Sequence, residues 1–437
     1  MMLEQQKLST VIVNNGSGVA VPAMTAQYSY VLTARHNLQA DPKKSETLLR
    51  PEEIRITYRD GQIIKPKEIF SSLTEDAAIL LIEGIQIEPI AYSNDFVEDQ
   101  ARIAILGYPA TRRTGTENSL KTFRGEIQDF ELKRIDVSTS SFATQDEIMG
   151  LSGGGVFSKR QNEWVLIGIE YSMEGPENES QNWLSCVRIG IFEKIIADSS
   201  FQELSLAPIL PPYLLDFLRL VEDSFPLEGF ECERTQTLLR QMLWDVAKEN
   251  LTGKCPSPHS IMQKFGEQLL VAGDPHYRLA DRKLWLSWVE FLVMCVLLDS
   301  PREIDHDYIE KLRKRRRLFY SGSDKEWTSY LEAIAKSNFN GLESDGVVLI
   351  TTNRPPIKTR PAVSLSKLVT DICRPNGANF DIGASAQVPK DLKLMHIDGL
   401  NRDCLVLNEH QYPHGDAFDR DAAITLITEA YRAAKAQ

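Results

Sequence analysis

The sequence changes character at a proline-containing segment near its middle, and this change constrains the fold more than any other feature. Before it, short runs of β-branched and aromatic residues alternate with turns. Pro208, Pro211 and Pro212 then interrupt the pattern, because proline neither continues a helix nor donates to a strand ladder. Beyond them, apolar residues recur at helical spacing. The sequence therefore predicts a β-rich domain over residues 1–200, a linker over 201–212 and a different architecture after it.

The N-terminal runs predict an all-β double barrel or a pair of packed sheets. Many short strands with few amphipathic helices between them are typical of such domains. Asp60-Gly61 lies between two of the runs and predicts a hairpin, because both residues tolerate positive φ. The predicted strands are Gly18–Val21, Tyr28–Thr33, Ile54–Tyr58, Ala77–Ile82, Arg102–Leu106, Arg134–Ser138 and Trp164–Ile169.

The C-terminal half predicts a helical region over residues 213–320 and a small α/β unit over 321–437. The basic run Arg313–Arg317 is expected to be a solvated helix end, since the helix dipole favours cations there. The predicted helices are Tyr213–Phe225, Thr235–Glu249, His259–Val271, Leu284–Leu298, Tyr308–Leu318, Lys325–Lys336 and Asp421–Ala436, and the predicted strands are Gly346–Thr351, Leu392–Ile397 and Cys404–Asn408.

Net charge, cysteine content and the N-terminal segment indicate which binding partners and which cellular compartment to expect. Forty-nine basic and 61 acidic side chains give a net charge of −12, which argues against binding to nucleic acid or to an anionic membrane. The six cysteines are scattered, with one in the first 200 residues, so a disulfide-stapled secreted domain is excluded there. The first fifteen residues lack a signal-peptide pattern, and no apolar run reaches the ~20 residues that span a bilayer. We expect a cytoplasmic protein.

Three short segments carry the residues of a nucleophilic mechanism. Ser152 stands among the glycines of residues 150–155, His36 ends the small-residue turn that follows a predicted strand, and Asp76 opens another strand. A serine hydroxyl needs a neighbouring base, an imidazole titrates near neutrality, and a carboxylate orients the imidazole and stabilises its charged form. Glycines let backbone N–H groups turn towards a developing oxyanion. No metal or cofactor is expected.

These segments resemble the trypsin-like (chymotrypsin-fold) serine proteases over roughly the first 200 residues. The resemblance implies two six-stranded barrels with a catalytic triad of His36, Asp76 and Ser152, and an oxyanion hole formed by the N–H groups of Gly150 and Ser152. The matching pieces, in the family's order, are Gly16-Ser17-Gly18-Val19, VLTARH ending at His36, EDAAILL containing Asp76, Gly107-Tyr108-Pro109, GLSGG around Ser152, and Ile167-Gly168-Ile169.

An α/β-hydrolase would also fit the pattern Gly150-x-Ser152-x-Gly154. That fold needs a helix directly after the serine and a histidine further along the chain. Here a predicted strand follows the serine, and His36 is the only histidine in the first 258 residues. The sequence therefore favours the trypsin-like assignment.

Two positions bear on activation and specificity. Leu151 stands where zymogen-type members of the family carry an aspartate that pairs with a new N-terminus, so activation by N-terminal trimming is not expected. Asp146 stands where trypsin carries the acid of its specificity pocket. A buried carboxylate there would favour substrates with Lys or Arg before the cleaved bond, whereas a solvated one would not. Both interpretations of Asp146 stay open.

The last third of the chain resembles C-terminal regions of bacterial ABC-three-component conflict systems. The resemblance lies in Arg317–Ser323, Asp345–Thr351 and Leu394–Leu400. In those systems an effector such as a protease is held by partner proteins, including an SMC-like ATPase. The resemblance implies that residues 321–437 bind a regulatory protein partner.

The sequence thus predicts an intracellular serine endopeptidase with a protein substrate, acting as a regulated effector in a bacterial defence system. The alternative is a non-catalytic binding or scaffold protein that keeps the protease fold and works through residues 213–437.

Overall fold

The computed structural model divides the chain into two compact units, Met1–Pro212 and Tyr213–Gln437. No helix among the described residues is long and apolar enough to cross a membrane. The described residues are 3–25, 27–40, 47–85, 87–95, 97, 100–113, 120–139, 149–160, 163–173, 183–199, 206–361, 392–412 and 418–436.

The first unit contains thirteen described strands between two helices, arranged as two β-structures. Seven strands form an antiparallel sheet in the order β5-β4-β1-β2-β3-β7-β6, and six form a closed barrel in the order β10-β13-β12-β11-β8-β9. The elements are α1 Glu4–Ser9, β1 Thr10–Val13, β2 Gly16–Pro22, β3 Tyr28–Thr33, β4 Ile56–Thr57, β5 Ile63–Ile64, β6 Glu68–Ser71, β7 Ala78–Glu83, β8 Arg102–Gly107, β9 Lys121–Phe130, β10 Arg134–Thr139, β11 Gly155–Arg160, β12 Glu163–Met173, β13 Trp183–Arg188 and α2 Ile189–Ser199.

The predicted fold class of this unit is confirmed, with one difference in its first half. Of the two six-stranded barrels implied by the resemblance, the second is a closed barrel of six strands and the first is a seven-stranded sheet. The predicted hairpin at Asp60-Gly61 joins β4 to β5, and Gly61 adopts a φ of 86°. Positive φ at this turn is what the Asp-Gly pair supplies.

Apolar side chains fill the inside of each β-structure and the space between them. Val31 and Leu80 are buried within the seven-stranded sheet's own cluster, and Ile105 and Ile135 within the barrel's. A third cluster joins residues from both, including the fully buried Phe157 of β11. The sheet and the barrel are therefore joined by one apolar cluster, in addition to the cluster that each has to itself.

The second unit packs helices around a small parallel sheet. Its three strands lie in the order β14-β15-β16, and each pair is parallel. The largely buried helix α5 contacts α3, α9 and β15. The elements are α3 Glu233–Asn250, α4 Pro258–Phe265, α5 Arg282–Asp299, α6 His306–Arg315, β14 Arg316–Ser321, α7 Leu331–Ala335, β15 Val347–Thr352, β16 Lys393–His396, α8 Ile397–Asn401 and α9 Arg420–Ala436. The predicted helical region and α/β unit thus lie in one compact unit.

Two predicted elements of the second unit are wrong. Residues 213–225 form three short 3₁₀ turns rather than one helix. The side chain of Asp216 accepts the N–H of Leu218, a local bond that competes with helix continuation. Residues 404–408, predicted as a strand, belong to a helical turn over Arg402–Val406 and its end. A short apolar run does not by itself separate strand from helix.

The basic run Arg313–Arg317 is not a solvated helix end, and this expectation is wrong for three of its five cations. Arg313, Arg316 and Arg317 are 7%, 5% and 4% exposed. The chain leaves the helix at Arg315 and continues as β14, because Arg316–Ser321 pairs along its whole length with β15. The guanidinium of Arg316 donates to both carboxylate oxygens of Asp299, at 2.6 and 2.9 Å.

We predict that Asp299→Asn destabilises the second unit by about 3–5 kcal/mol, because it leaves the buried Arg316 without its counter-charge. The measurement is urea unfolding followed by tryptophan fluorescence, since four of the six tryptophans lie in this unit. The control is Glu222→Gln, which breaks the exposed Lys248–Glu222 pair and should cost less than about 1 kcal/mol. An Asp299→Asn protein as stable as the control would contradict the assignment.

Candidate active site

His36 and Asp76 meet where two neighbouring strands end. Thr33, the last residue of β3, lies opposite Ala78, the first residue of β7, so the residues just outside both strands share one edge of the sheet. His36 Nδ1 lies 2.6 Å from Asp76 Oδ2, and the backbone N–H of His36 donates to Asp76 Oδ1 at 3.0 Å. The carboxylate therefore holds both the ring and the main chain of the histidine.

This arrangement sets what the imidazole can do. A carboxylate on Nδ1 favours the tautomer with the proton there, which leaves the lone pair on Nε2 to accept another proton. Both side chains are about one-quarter to one-third exposed, at 29% for His36 and 27% for Asp76. The pair is reachable from solvent while its geometry is fixed by two hydrogen bonds.

Ser152 lies on a tight turn that only glycines allow. Gly150 and Gly153 adopt φ values of 89° and 91°, which L side chains rarely adopt. A Cβ on Gly153 would lie 1.8 Å from the carbonyl oxygen of Ser17. The turn therefore packs against β2 with no space for a side chain at that position.

The Ser152 turn is tied to the histidine segment through Asn37. Asn37 Nδ2 donates to the carbonyl oxygen of Ser152 at 2.7 Å, and the N–H of Ser17 donates to the same oxygen at 2.7 Å. The Ser152 hydroxyl donates to the carbonyl oxygen of Tyr171 at 3.3 Å, and no described hydrogen bond joins it to His36. The structure thus pairs His36 with Asp76 and holds Ser152 on an adjoining segment, its hydroxyl directed at Tyr171.

Hydrogen bonds to the carbonyl groups of Met149 and Leu151 fix the orientation of the backbone next to Ser152. Met149 O accepts the N–H of Ala110 at 2.6 Å, and Leu151 O accepts the N–H of Gly154 at 2.7 Å. In a trans peptide the N–H points away from its carbonyl. The N–H groups of Gly150 and Ser152 are thereby fixed in direction, and neither donates to a carbonyl of any other described residue. Two such donors could stabilise an oxyanion.

Leu151 packs the Ser152 turn against the core of the barrel. Its side chain is fully buried in the barrel core with Ile105 and Val156. The position therefore offers no charge to a new N-terminus. Asp146, the candidate specificity residue, lies outside the described residues.

Arg113 supports the turn and was missed by the sequence analysis. Its guanidinium donates to four carbonyl oxygens, those of Gly16 at 2.9 Å, Tyr108 at 2.9 Å, Gly150 at 3.1 Å and Asn14 at 3.4 Å. Burial lowers its pKa. No motif or periodicity marks this arginine, because its role comes from carbonyls that are distant in sequence.

Glu170 was also missed, although it directly follows the recognised Ile167-Gly168-Ile169. Its N–H donates to Gly154 O at 2.9 Å, and its carbonyl accepts the N–H of Gly153 at 2.7 Å. Its side chain is 2% exposed. Burial, together with the nearby charge of Asp76, raises the pKa of Glu170 to about 8.

The comparison with solved structures gives matches at low sequence identity, of which two are described here. One is an inactive, serine-to-alanine form of Rv3671c from M. tuberculosis H37Rv, with 12% identity and a TM-score of 0.34 over 46% of this chain and 91% of that one. The other is AlgW, an HtrA-type protease solved with a decapeptide, with 18% identity and a TM-score of 0.31 over 43% of this chain and 52% of that one. This chain thus spans about half the length of the AlgW chain.

The comparison with curated proteins gives no match. The comparison with family models matches residues 186–406 to C-terminal domain 4 of the ABC-three component (ABC-3C) systems. The match confirms the predicted resemblance and extends it towards the N-terminus, where it begins in β13. Since it covers just over half of the 437 residues, the chain belongs to the family that carries this domain of the ABC-3C systems.

Proposed function

We propose that the chain is a serine endopeptidase that serves as the effector of its ABC-3C system. The observation that carries the proposal is the pair of hydrogen bonds that Asp76 forms with His36, one with ring Nδ1 and one with the backbone N–H. Ser152 lies on the adjoining glycine turn, which Asn37 ties to the histidine segment. A carboxylate-oriented imidazole beside a serine on such a turn is the arrangement that activates a hydroxyl for acyl transfer.

The reaction follows from the roles of the three side chains. Ser152 Oγ leaves Tyr171 O, turns to His36 Nε2 and attacks the scissile carbonyl while the imidazole takes its proton. The Gly150 and Ser152 N–H groups stabilise the resulting oxyanion, each worth about 2.7–4 kcal/mol in comparable sites. The imidazolium, held by Asp76, gives its proton to the leaving amine. Water then repeats the sequence to release the acyl group.

The reactive state requires the Ser152 hydroxyl to exchange its bond with Tyr171 O for one to His36 Nε2. Catalytic hydrogen bonds are often long or unformed before substrate binds. The present bond to Tyr171 O, at 3.3 Å, is a weak one. Exchanging it for a bond to the imidazole therefore costs little.

A second candidate function rests on that same bond. A protein whose serine stays on Tyr171 O would be a binding module of protease fold that works through residues 213–437. The two candidates differ in whether Ser152 reacts with an activated electrophile, since only a serine with a working base does so.

We predict that the wild-type chain reacts with a fluorophosphonate probe at Ser152 and that Ser152→Ala abolishes both labelling and peptide hydrolysis. Hydrolysis should fall by at least about 10⁴-fold in Ser152→Ala and in His36→Ala, because the two act as a unit. Mass spectrometry of the labelled peptide identifies the site.

The matched control is Ser93→Ala, which removes a serine of the same unit whose hydroxyl donates to Asp95. It should label and hydrolyse as the wild type does. Wild-type protein that neither labels nor hydrolyses, with or without its partner proteins, would favour the binding module.

We predict that Asn37→Ala lowers kcat by about 10–100-fold with little change in KM, because the Ser152 turn loses its bond to the histidine segment, and small misplacements of reacting groups cost this much. Steady-state kinetics on a peptide substrate measure the two constants. Asn94→Ala is the control: it removes an amide that donates to Glu193 at 2.7 Å, and it should leave kcat unchanged. Equal kcat in both variants would exclude the positioning role of Asn37.

Membership in a three-component family indicates protein partners. We propose that one of them binds within residues 213–437 and switches the protease on, which requires that it bind the active state more tightly than the inactive one. The purified chain alone should therefore hydrolyse peptides slowly, and addition of the other proteins of the same system should raise kcat. Hydrolysis at the same rate with and without them would contradict the switch.

A further inference from the structure

Arg113 is a partly buried cation whose hydrogen bonds all go to the main chain. Within the part of the chain that the structure describes, the acceptors of its guanidinium are four carbonyl oxygens, those of Gly16 at 2.9 Å, Tyr108 at 2.9 Å, Gly150 at 3.1 Å and Asn14 at 3.4 Å. Withdrawing a cation from water is costly unless hydrogen bonds compensate it, and an apolar side chain would avoid that cost. The choice of arginine therefore calls for an explanation beyond packing.

The four carbonyl groups come from three segments of the chain. Asn14 and Gly16 belong to the turn between β1 and β2, Tyr108 directly follows β8, and Gly150 lies in the Ser152 turn. A guanidinium can serve several acceptors at once, because its five N–H donors form a rigid planar fork. One side chain thus joins the serine turn both to the seven-stranded sheet and to the barrel.

The carbonyl oxygen of Gly150 has a second donor, which is the hydroxyl of Ser17 at 2.8 Å. The same hydroxyl accepts the backbone N–H of Tyr108 at 2.8 Å, and Ser17 is fully buried. Since a carbonyl oxygen has two lone pairs, Arg113 and Ser17 together use its accepting capacity. Two side chains from different segments therefore set the direction of this one carbonyl group.

The Gly150 carbonyl belongs to the peptide group that lies between the two N–H donors of the candidate oxyanion hole. Because peptide groups are planar, the angle between the Gly150 and Ser152 N–H groups depends on how this intervening peptide is turned. Gly150 has no side chain to restrict its backbone, and it adopts a φ of 89°. Contacts from outside the turn must therefore hold the peptide in place.

We propose that Arg113 is a positioning residue for the oxyanion hole, and that Arg113 and Ser17 hold the Gly150 carbonyl so that the N–H groups of Gly150 and Ser152 converge on one point. This role rests on the proposed protease function and specifies what assembles its oxyanion hole. Arg113 acts through the backbone and donates no bond to the reacting carbonyl. Its loss should therefore slow the step that forms the oxyanion and leave substrate binding unchanged.

The test measures how fast a fluorophosphonate probe labels Ser152 in the full-length wild type, Arg113→Lys and Ser17→Ala, with the other proteins of the same system present. Negative charge develops on the phosphoryl oxygen as the serine attacks, so labelling depends on the oxyanion hole and needs no known substrate. Lysine keeps the charge but lacks the planar fork. We expect each variant to label about 10–100-fold more slowly. On a peptide substrate, kcat should fall by the same factor with little change in KM.

The matched control is Arg188→Lys. Arg188 belongs to the same unit, and burial lowers the pKa of its guanidinium as it does for Arg113. It also donates to three main-chain carbonyl oxygens, none of them in the Ser152 turn: those of Glu131, Leu132 and Asn94. This variant should label and hydrolyse as the wild type does. If it loses as much activity as Arg113→Lys, the loss is a general one and the proposal is overturned.

A double variant distinguishes one shared role from two separate effects. Because Arg113 and Ser17 donate to the same oxygen, the turn has already lost its position when one donor is absent, and removing the second should add little. The loss in the double variant Arg113→Lys/Ser17→Ala should be smaller than the product of the two single losses. A loss equal to that product, or larger, would overturn the shared role.

The outcomes separate this proposal from the protease function. If the wild type labels and hydrolyses, and Arg113→Lys does both at the same rate, the positioning role is wrong and the protease function stands. A wild type that does not label with its partner proteins present would overturn both. If Arg113→Lys does not fold, Ser17→Ala, which removes no charge, decides the question by the same measurement.

Discussion

The carbonyl oxygen of Ser152 is the point on which the geometry of the first unit depends. It accepts one hydrogen bond from the Ser17 N–H of β2 and one from the Asn37 side chain, both at 2.7 Å. The turn that bears Ser152 precedes the barrel strand β11, whereas both donors lie in the part of the chain that forms the seven-stranded sheet. The two bonds therefore fix the serine relative to the histidine more tightly than the shared apolar core could alone, since apolar packing is non-directional.

Each unit buries one glutamate almost completely, and the two differ in their hydrogen bonds. In the second unit, both carboxylate oxygens of the buried Glu290 accept N–H donors, from Phe225 and Asn401. In the first unit, Glu170 Oε2 has no hydrogen-bond partner among the residues that the structure describes, and the charge of Asp76 helps to raise its pKa. Satisfied buried ions serve the specificity and stability of a fold, whereas an unsatisfied one next to an ion pair is typical of a functional site.

The parts of the fold that were predictable have strong local signals. The alternating β-rich runs, the Asp60-Gly61 hairpin and the long helices α3, α5 and α9 follow from periodicity and turn chemistry. The parts that were not predictable are set by distant partners. Arg316–Ser321 is a strand because β15 pairs with it, and residues 404–408 are helical because the chain continues directly from α8. In the first case a tertiary contact overrides local preference, and in the second the preceding helix does.

The sequence by itself determined which residue types the candidate site contains and in which order they occur: His36, Asp76, and Ser152 among glycines whose freedom of φ the turn requires. Those facts are local, because a turn, a strand end and a solitary histidine are visible in short stretches of chain. Only the tertiary structure decided what surrounds them. The Arg113 guanidinium donates to carbonyl oxygens of three chain segments, Asn37 ties Ser152 to the histidine segment, and Glu170 Oε2 is buried without a partner in the described part of the chain. The physical reason is that hydrogen bonds and buried charges act across space, and a sequence records only neighbours along the chain.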